Sequence, residues 1–120
     1  MRYLLLIYSP ESHYMNLSPE DNAALLAEWG RFSAEISAAG VLRGADRLRP
    51  TSFASTVRVR NGKAATTDGP FAETKEQLGG YYMIDVENLD QALAWARKMP
   101  SARVGSIEVR PIWPPEEYRR

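Results

Sequence analysis

Four side chains near the middle of the chain are of the types that move protons or hold polar ligands. Asp68 can act as a general base or hold a ligand, although an aspartate before Gly-Pro also caps its own turn. Glu73, Lys75 and Glu76 form a mixed cluster that can tune a proton-transfer group, or can be three solvated charges. The pattern predicts Asp68, Glu73 and Glu76 as candidate catalytic residues and Lys75 as a candidate ligand-binding residue.

A second candidate site surrounds Asp46 and Arg47, near the end of a predicted strand. Further arginines accompany them in the chain, namely Arg43, Arg49, Arg58 and Arg60. Arginine forks suit a carboxylate or phosphate, whereas charges on an edge strand also protect it from pairing with other chains. Phe71 is either a hydrophobic plug for its loop or a pocket wall. Asp46, Arg47 and Phe71 are therefore candidate ligand-binding residues.

Composition excludes several kinds of site. The chain has no cysteine, which excludes disulfides and thiolate catalysis, and its single histidine, His13, is predicted on a surface loop. We expect no metal site, and no glycine-rich phosphate loop or nucleophile elbow points to a cofactor. Fifteen basic residues balance fifteen acidic ones, so no net charge attracts nucleic acid or an anionic membrane. The expected location is cytoplasmic.

The elements that must position these residues form one domain, residues 1–120. Hydropathy and turn signals predict strands at 2–8, 41–48, 55–60, 63–67, 81–86 and 106–111, and helices at 19–39 and 89–99. Asn61-Gly62 is a strong type I′ hairpin signal between two of the strands. This order is typical of an α+β, ferredoxin-like split βαβ fold with an inserted hairpin. A buried helical stripe is expected at Leu25, Trp29, Phe32 and Ile36.

Two strands, 2–8 and 81–86, are apolar on both faces, which is typical of central strands. Two helices can cover only one face of a four-stranded sheet. The uncovered face would then expose an apolar patch that soluble monomers rarely carry. We therefore expect a homodimer that packs sheet against sheet. The alternative is that the hairpin folds back over that face.

The chain also resembles a known family along most of its length. The fifteen-residue run from Thr67 to Tyr81 is similar to the signature of the DGPF branch of the YCII-related proteins, and so are the segments 2–8, 39–42 and 109–111. The resemblance implies a dimeric α+β barrel without an established activity. In the wider family, a histidine on the first helix and an aspartate beyond it are proposed as an acid–base dyad. The predicted first helix here has no histidine, so that dyad does not transfer.

Two functions follow as hypotheses. The first is a small-molecule binder or cofactor-free acid–base enzyme of lyase or isomerase type, with a pocket between the sheet, the first helix and the loop Asp68–Glu76. The second is a regulatory interaction protein. The resemblance implies it, because DGPF proteins are commonly encoded beside extracytoplasmic-function sigma factors. The expected partners are a second copy, a small-molecule ligand and a sigma factor.

Overall fold

The computed structural model describes residues 1–118. Its strands are β1 (Arg2–Ser9), β2 (Leu42–Arg47), β3 (Ser55–Arg60), β4 (Lys63–Asp68), β5 (Gln77–Asp85) and β6 (Ser106–Pro111). Its helices are α1 (Glu11–Met15), α2 (Pro19–Ala38), α3 (Leu89–Lys98) and α4 (Pro115–Tyr118), with 3-10 turns at Thr51–Phe53 and Pro100–Arg103. No helix in this part of the chain is long and apolar enough to span a membrane.

Four strands form one antiparallel sheet in the order β2-β5-β1-β6. The two-faced apolar strands, β1 and β5, occupy its centre, where strands are covered on both sides. Together with the helices, this arrangement is a mixed α+β fold consistent with the ferredoxin-like class. β3 and β4 pair separately as a two-stranded antiparallel sheet.

The core lies between the sheet and the helices. Alternation along β1 places Tyr3, Leu5 and Ile7 on the covered face, where Leu5 is fully buried. Residues from α2, α3 and β5 pack against them, chiefly Phe32, Ile36, Ile84, Ala92 and Met99. A fully buried aliphatic side chain of this size contributes about 1.5–3 kcal/mol through removal from water, so this layer stabilises the body of the fold.

Both long helices begin where their capping residues predict. The Ser18 hydroxyl accepts a hydrogen bond from the Asp21 amide, with Pro19 at the first helical position of α2. The Asn88 side chain accepts from the Gln91 amide at the start of α3. Gly40 follows α2 with φ of 74°, a left-handed conformation that glycine adopts without steric cost. These caps fix the helix orientation over the sheet.

Three segments differ from their predicted structure. β5 begins at Gln77, four residues before its predicted start, and α4 is not among the predicted helices. The stretch between β1 and α2 is expected to be a loop, but it contains the one-turn helix α1. Five residues are too few to show helical periodicity, so the sequence pattern carries no signal for this turn. α1 is consequential because it brings His13 and Tyr14 to the end of the sheet.

The β3–β4 hairpin, Ser55–Asp68, stands away from the body, and we call it the arm. Its turn has positive φ at Asn61 and Gly62, as a type I′ turn requires. Val57 and Val59 are 64% and 57% exposed, so in this structure the arm does not fold back over the sheet. The radius of gyration is 16.7 Å, against about 14 Å for a compact chain of this length.

Candidate functional site

A cavity of about 430 Å³ lies between α2 and the covered face of the sheet. Its floor is the carboxyl end of β1 and the amino end of β5, at Ile7, Ser9 and Gly80. The turn Pro100–Arg103 closes one side. This volume is within the range of about 300–1,000 Å³ that small-molecule sites occupy.

Aromatic side chains form the inner wall of the cavity. The Trp29 and Tyr82 rings stack with their centroids 6.0 Å apart and their planes 19° apart. Phe32 meets both rings edge-on from the core side. The Tyr82 hydroxyl and Ser33 Oγ form a 2.6 Å hydrogen bond. The wall is therefore a stacked aromatic surface whose Tyr82 hydroxyl already has a hydrogen-bond partner.

The mouth of the cavity is built by α1. The Glu11 amide donates to Gln77 Oε1 at 2.9 Å, which ties α1 to the start of β5. The Glu11 carboxylate accepts from the Thr51 amide at 2.7 Å and from the Thr51 hydroxyl at 3.0 Å. These bonds hold the next turn of α1 so that His13 and Tyr14 line the opening.

The mouth of the cavity carries charged side chains of both signs, Asp46, Arg47 and Arg103. The Arg47 guanidinium carbon lies 5.7 Å from the centre of the Tyr14 ring, a cation–π contact. Arg103 also lines the cavity, but it forms an ion pair with Glu28 on α2. Within residues 1–118, Arg47 has no carboxylate within ion-pair distance. The Arg47 guanidinium is therefore at the opening without an ion-pair partner among these residues.

The ionisation of Tyr14 reflects this setting. Burial raises the pKa of its hydroxyl above the ordinary value, and the Glu11 carboxylate raises it further. The Arg47 guanidinium acts in the opposite direction because it favours the phenolate. Tyr14 is therefore a neutral hydrogen-bonding group at neutral pH.

Asp46 and Arg47 are adjacent residues with different roles. Both line the cavity, but the Asp46 carboxylate lies toward the other face of the sheet, where it accepts a 2.8 Å hydrogen bond from the Tyr81 hydroxyl. This bond raises the pKa of Tyr81, because the charged acceptor stabilises the protonated phenol. Arg47, by contrast, is paired with Gly80 on the covered face of the sheet, where the cavity lies.

The other predicted site residues lie outside the cavity. We call Asp68–Glu76 the motif loop; its first residue, Asp68, is also the last residue of β4. Phe71 is 77% exposed, and Glu73 and Lys75 are also exposed. The Thr74 hydroxyl donates to the Glu76 carbonyl and the Gln77 side chain to the Thr74 carbonyl, so the loop satisfies its own polar groups. The arm carries the motif loop away from the body, and none of Asp68, Phe71, Glu73, Lys75 and Glu76 lines the cavity.

The predicted arginine cluster is also dispersed. Arg43 donates to the Gly40 and Leu42 carbonyls, and Arg49 stacks on Phe53. Arg58 and Arg60 lie on the arm. In the described part of the chain, no group of three or more His, Asp or Glu side chains is placed to hold a metal ion. The polar side chains that line the cavity are instead those of Ser9, His13, Tyr14, Asn22, Ser33, Asp46, Arg47, Tyr82, Ser101 and Arg103.

Sequence reasoning missed most of this site. Trp29 is predicted as core, but it is half-buried and also lines the cavity, and a stripe at helical spacing does not distinguish a core residue from a cavity wall. Tyr82 was assigned to an apolar strand face. His13 was expected in a loop. The sequence contains one indirect signal of the cavity. Gly79-Gly80 is a strand segment without side chains, where a cavity can open beside the backbone.

Two comparisons place the chain among known proteins. The YCII-related domain matches residues 1–116. An uncharacterized protein of Rhizobium meliloti (strain 1021) is 41% identical over 114 residues, covering 93% of this chain and 92% of the relative. The match therefore includes both halves of the fold and every residue that forms the cavity. The chain belongs to the YCII-related family.

Proposed function

We propose that this protein binds a small molecule with a planar apolar body and an anionic group in the cavity beside α2. One observation carries the proposal: the stacked Trp29–Tyr82 pair and Arg47, which has no ion-pair partner within residues 1–118, line the same cavity. An apolar site with few convergent polar groups is the usual form of a small-molecule site. The wall supplies contact area, and Arg47 fixes the orientation of the ligand.

Binding is better supported than acid–base catalysis. The three carboxylates predicted to transfer protons, Asp68, Glu73 and Glu76, do not line the cavity. A general base must come within hydrogen-bond reach of the proton that it takes. His13 and Tyr14 are at the mouth, where they can donate hydrogen bonds to a polar ligand group. We therefore assign the cavity a binding role.

The test uses a matched pair of probes, 2-naphthoate and its neutral analogue 2-naphthamide, titrated by calorimetry. We expect 2-naphthoate to bind the cavity more tightly than 2-naphthamide. A charge-assisted hydrogen bond contributes about 1.5–3 kcal/mol, so Arg47→Ala should weaken 2-naphthoate binding roughly 10- to 150-fold and leave 2-naphthamide nearly unchanged. Arg43→Ala, a change of the same type on the same strand, is the control and should change neither affinity.

Two results would overturn the assignment. Equal binding of both probes would remove the anionic group from the proposal. An equal loss of affinity in the Arg43→Ala variant would show that general surface charge, not Arg47, attracts the probe.

Several finer statements stay predictions. The motif Asp68-Gly69-Pro70-Phe71 supports membership of the DGPF branch, and the resemblance supports a sigma factor as an alternative partner. Co-purification with a neighbouring sigma factor at low salt tests that partner.

The homodimer is supported by the uncovered sheet face, where Leu4, Leu6 and Met83 are only half-buried. The cytoplasmic location also stays a prediction.

A further inference from the structure

A second space lies beside the mouth of the cavity, between α1 and the chain that follows β2, and we call it the second pocket. Its volume is about 420 Å³. The residues that line it are Tyr14, Met15, Arg47, Leu48, Arg49 and Pro50. Tyr14 and Arg47 also line the cavity, so the two spaces adjoin at these side chains. A ligand in the cavity can therefore extend into the second pocket.

The chain after β2 stays extended, which places Arg47 and Arg49 on the same side. The Leu48 amide donates to the Gly79 carbonyl at 2.8 Å, so the pairing of β2 with β5 continues one residue past the strand. Pro50 restricts the residue before it to extended conformations. Residues two apart on an extended chain point to the same side, with their Cα atoms about 7 Å apart. The two arginine side chains can therefore contact one bound group.

Each of the two guanidinium groups lies over an aromatic ring. The Arg47 guanidinium carbon is 5.7 Å from the centre of the Tyr14 ring, and that of Arg49 is 5.2 Å from the centre of the Phe53 ring. A guanidinium over a ring face keeps its in-plane N–H groups available for an anion. The rings also restrict two otherwise flexible side chains, which reduces the entropy that they lose when a ligand binds.

No acidic residue lines the second pocket in the described part of the chain. Glu11 on α1 is near Tyr14, but its two carboxylate oxygens accept hydrogen bonds from the amide and hydroxyl of Thr51. Asp46 lines the adjoining cavity, and its carboxylate accepts a hydrogen bond from the Tyr81 hydroxyl. Both carboxylates are therefore already bonded to other groups.

The two arginines have no such partners. Among residues 1–118, neither Arg47 nor Arg49 has a carboxylate within ion-pair distance. Both side chains are exposed, so an anion can reach them from solvent. The second pocket therefore combines two cationic groups, at adjacent positions on the same side of the chain, with no acid in its lining.

Two guanidinium groups suit a phosphoryl group better than a carboxylate. A carboxylate has two oxygens, which one guanidinium fork can bond. A phosphate monoester has three terminal oxygens and a charge of about −1.5 to −2 at neutral pH, so it can accept hydrogen bonds from two guanidinium groups. The Tyr14 hydroxyl, at the junction of the two spaces, is a further donor.

We propose that the second pocket binds the phosphoryl group of a phosphate monoester whose planar apolar body lies in the cavity. This inference rests on the proposed function, because the cavity must hold the planar body. Arg47 lines both spaces and contacts a carboxylate or a phosphoryl group, whereas Arg49 lines only the second pocket and contacts the phosphoryl group alone. Arg49 therefore makes the site selective for phosphorylated ligands.

Calorimetry with 2-naphthyl phosphate and 2-naphthoate tests the inference, since the two probes share one planar body. We expect the wild-type protein to bind 2-naphthyl phosphate about tenfold more tightly, because Arg49 adds a charge-assisted hydrogen bond. Arg49→Ala should remove this advantage and leave the affinity for 2-naphthoate unchanged. Arg47→Ala should weaken the binding of both probes.

Arg60→Ala is the matched control, because it removes the same charge from the arm, outside both spaces. It should change neither affinity, and circular dichroism should show that each variant is folded. Equal affinity of the wild type for both probes, or an equal loss in Arg49→Ala and Arg60→Ala, would overturn the phosphoryl site and leave the proposed function intact. Failure of both probes to bind would overturn the proposed function and this inference with it.

Discussion

The cavity and the motif loop show two ways in which one chain concentrates polar chemistry. The motif loop gathers Asp68, Glu73, Lys75 and Glu76 within nine residues, yet all are exposed or half-buried and none reaches a cavity. The cavity assembles residues from Ile7 to Val104, which only the folded chain brings together. A cluster of reactive residue types in the sequence is therefore a weaker guide to a binding site than a cavity that encloses its side chains.

Enclosure distinguishes the cavity from the motif loop because it changes the strength of an electrostatic interaction with a ligand. A charge at the mouth of an apolar cavity is screened less than one on an exposed loop. Arg47 is itself exposed but lies at the mouth of the cavity, whereas the motif-loop charges line no cavity. The two regions should consequently respond differently to substitution, and the following variants test the difference.

The largest effect is expected from Trp29→Ala. This change removes the stacked wall, the contact with Tyr82 and an edge contact with Phe32. Removing a fully buried tryptophan costs about 3–5 kcal/mol. Trp29 is half-buried, so we expect a loss of about 2–3 kcal/mol in the free energy of unfolding, measured in urea.

The same variant should lose detectable 2-naphthoate binding while it retains its helical circular dichroism. Phe53→Ala is the control, because Phe53 is 64% exposed and outside the cavity. Retained affinity in a folded Trp29→Ala protein would show that the probe binds elsewhere.

The next largest effect is expected from alanine substitutions at two glycines, one in the cavity floor and one in the motif loop. A Cβ at Gly80, in the cavity floor, would lie 2.8 Å from the Asp46 carbonyl oxygen of the neighbouring strand. Gly69 in the motif loop has φ of 99° but no atom within 4 Å of such a Cβ. Gly80→Ala should cost about 2 kcal/mol through overpacking and weaken probe binding.

Gly69→Ala should cost about 1 kcal/mol through backbone strain and leave probe binding unchanged. Urea unfolding and calorimetry of the two variants measure both quantities. If Gly69→Ala impaired binding as much as Gly80→Ala, the motif loop would belong to the site.

A smaller effect is expected at high pH. The pKa of Tyr14 is raised in the folded chain, chiefly by burial, above its ordinary value of 10.0. The folded state then holds this proton more tightly than the unfolded state. The associated stability is complete below pH about 10 and is lost as pH rises through the folded pKa.

Unfolding in urea at pH about 9 and about 11 measures this loss. The wild type should lose more stability between these conditions than Tyr14→Phe, which has no ionisable hydroxyl at this position. An equal loss in both proteins would place Tyr14 in water rather than at the wall of the cavity.

The smallest effect is expected from the motif-loop carboxylates. Asp68→Asn and Glu73→Gln change exposed groups that line no cavity. Exposed substitutions of this kind are usually within about 0.5 kcal/mol of the parent in stability. We expect unchanged melting temperature and unchanged 2-naphthoate affinity. Lost affinity at constant stability would revive Asp68 and Glu73 as site residues and favour a cavity completed by the motif loop.

The sequence predicted the elements well because their signals are local. Ser18-Pro19, Asn88 and Asn61-Gly62 each act within a few residues, and each lies at the boundary that it predicts. The packing of strand β1 is harder to predict from its sequence. Its two faces are both apolar, so the pattern identifies a central strand but not which face the helices cover.

The site was predicted only in part, for a similar reason. Arg47 was expected to bind a ligand and does line the cavity, but its neighbour Asp46 bonds to Tyr81 across the sheet. Which of two adjacent strand residues faces a cavity depends on the β-bulge between Leu42 and Gly44, where the register shifts. A bulge of this kind has no reliable sequence signal.

The most direct test of the binding site is a crystal structure with 6-bromo-2-naphthoate, in which anomalous scattering locates the bromine. The account predicts one bromine position beside the Trp29 ring, with the carboxylate within hydrogen-bond distance of the Arg47 guanidinium. A bromine located on the face of the sheet opposite the helices, or beside the motif loop, with the cavity empty, would contradict it.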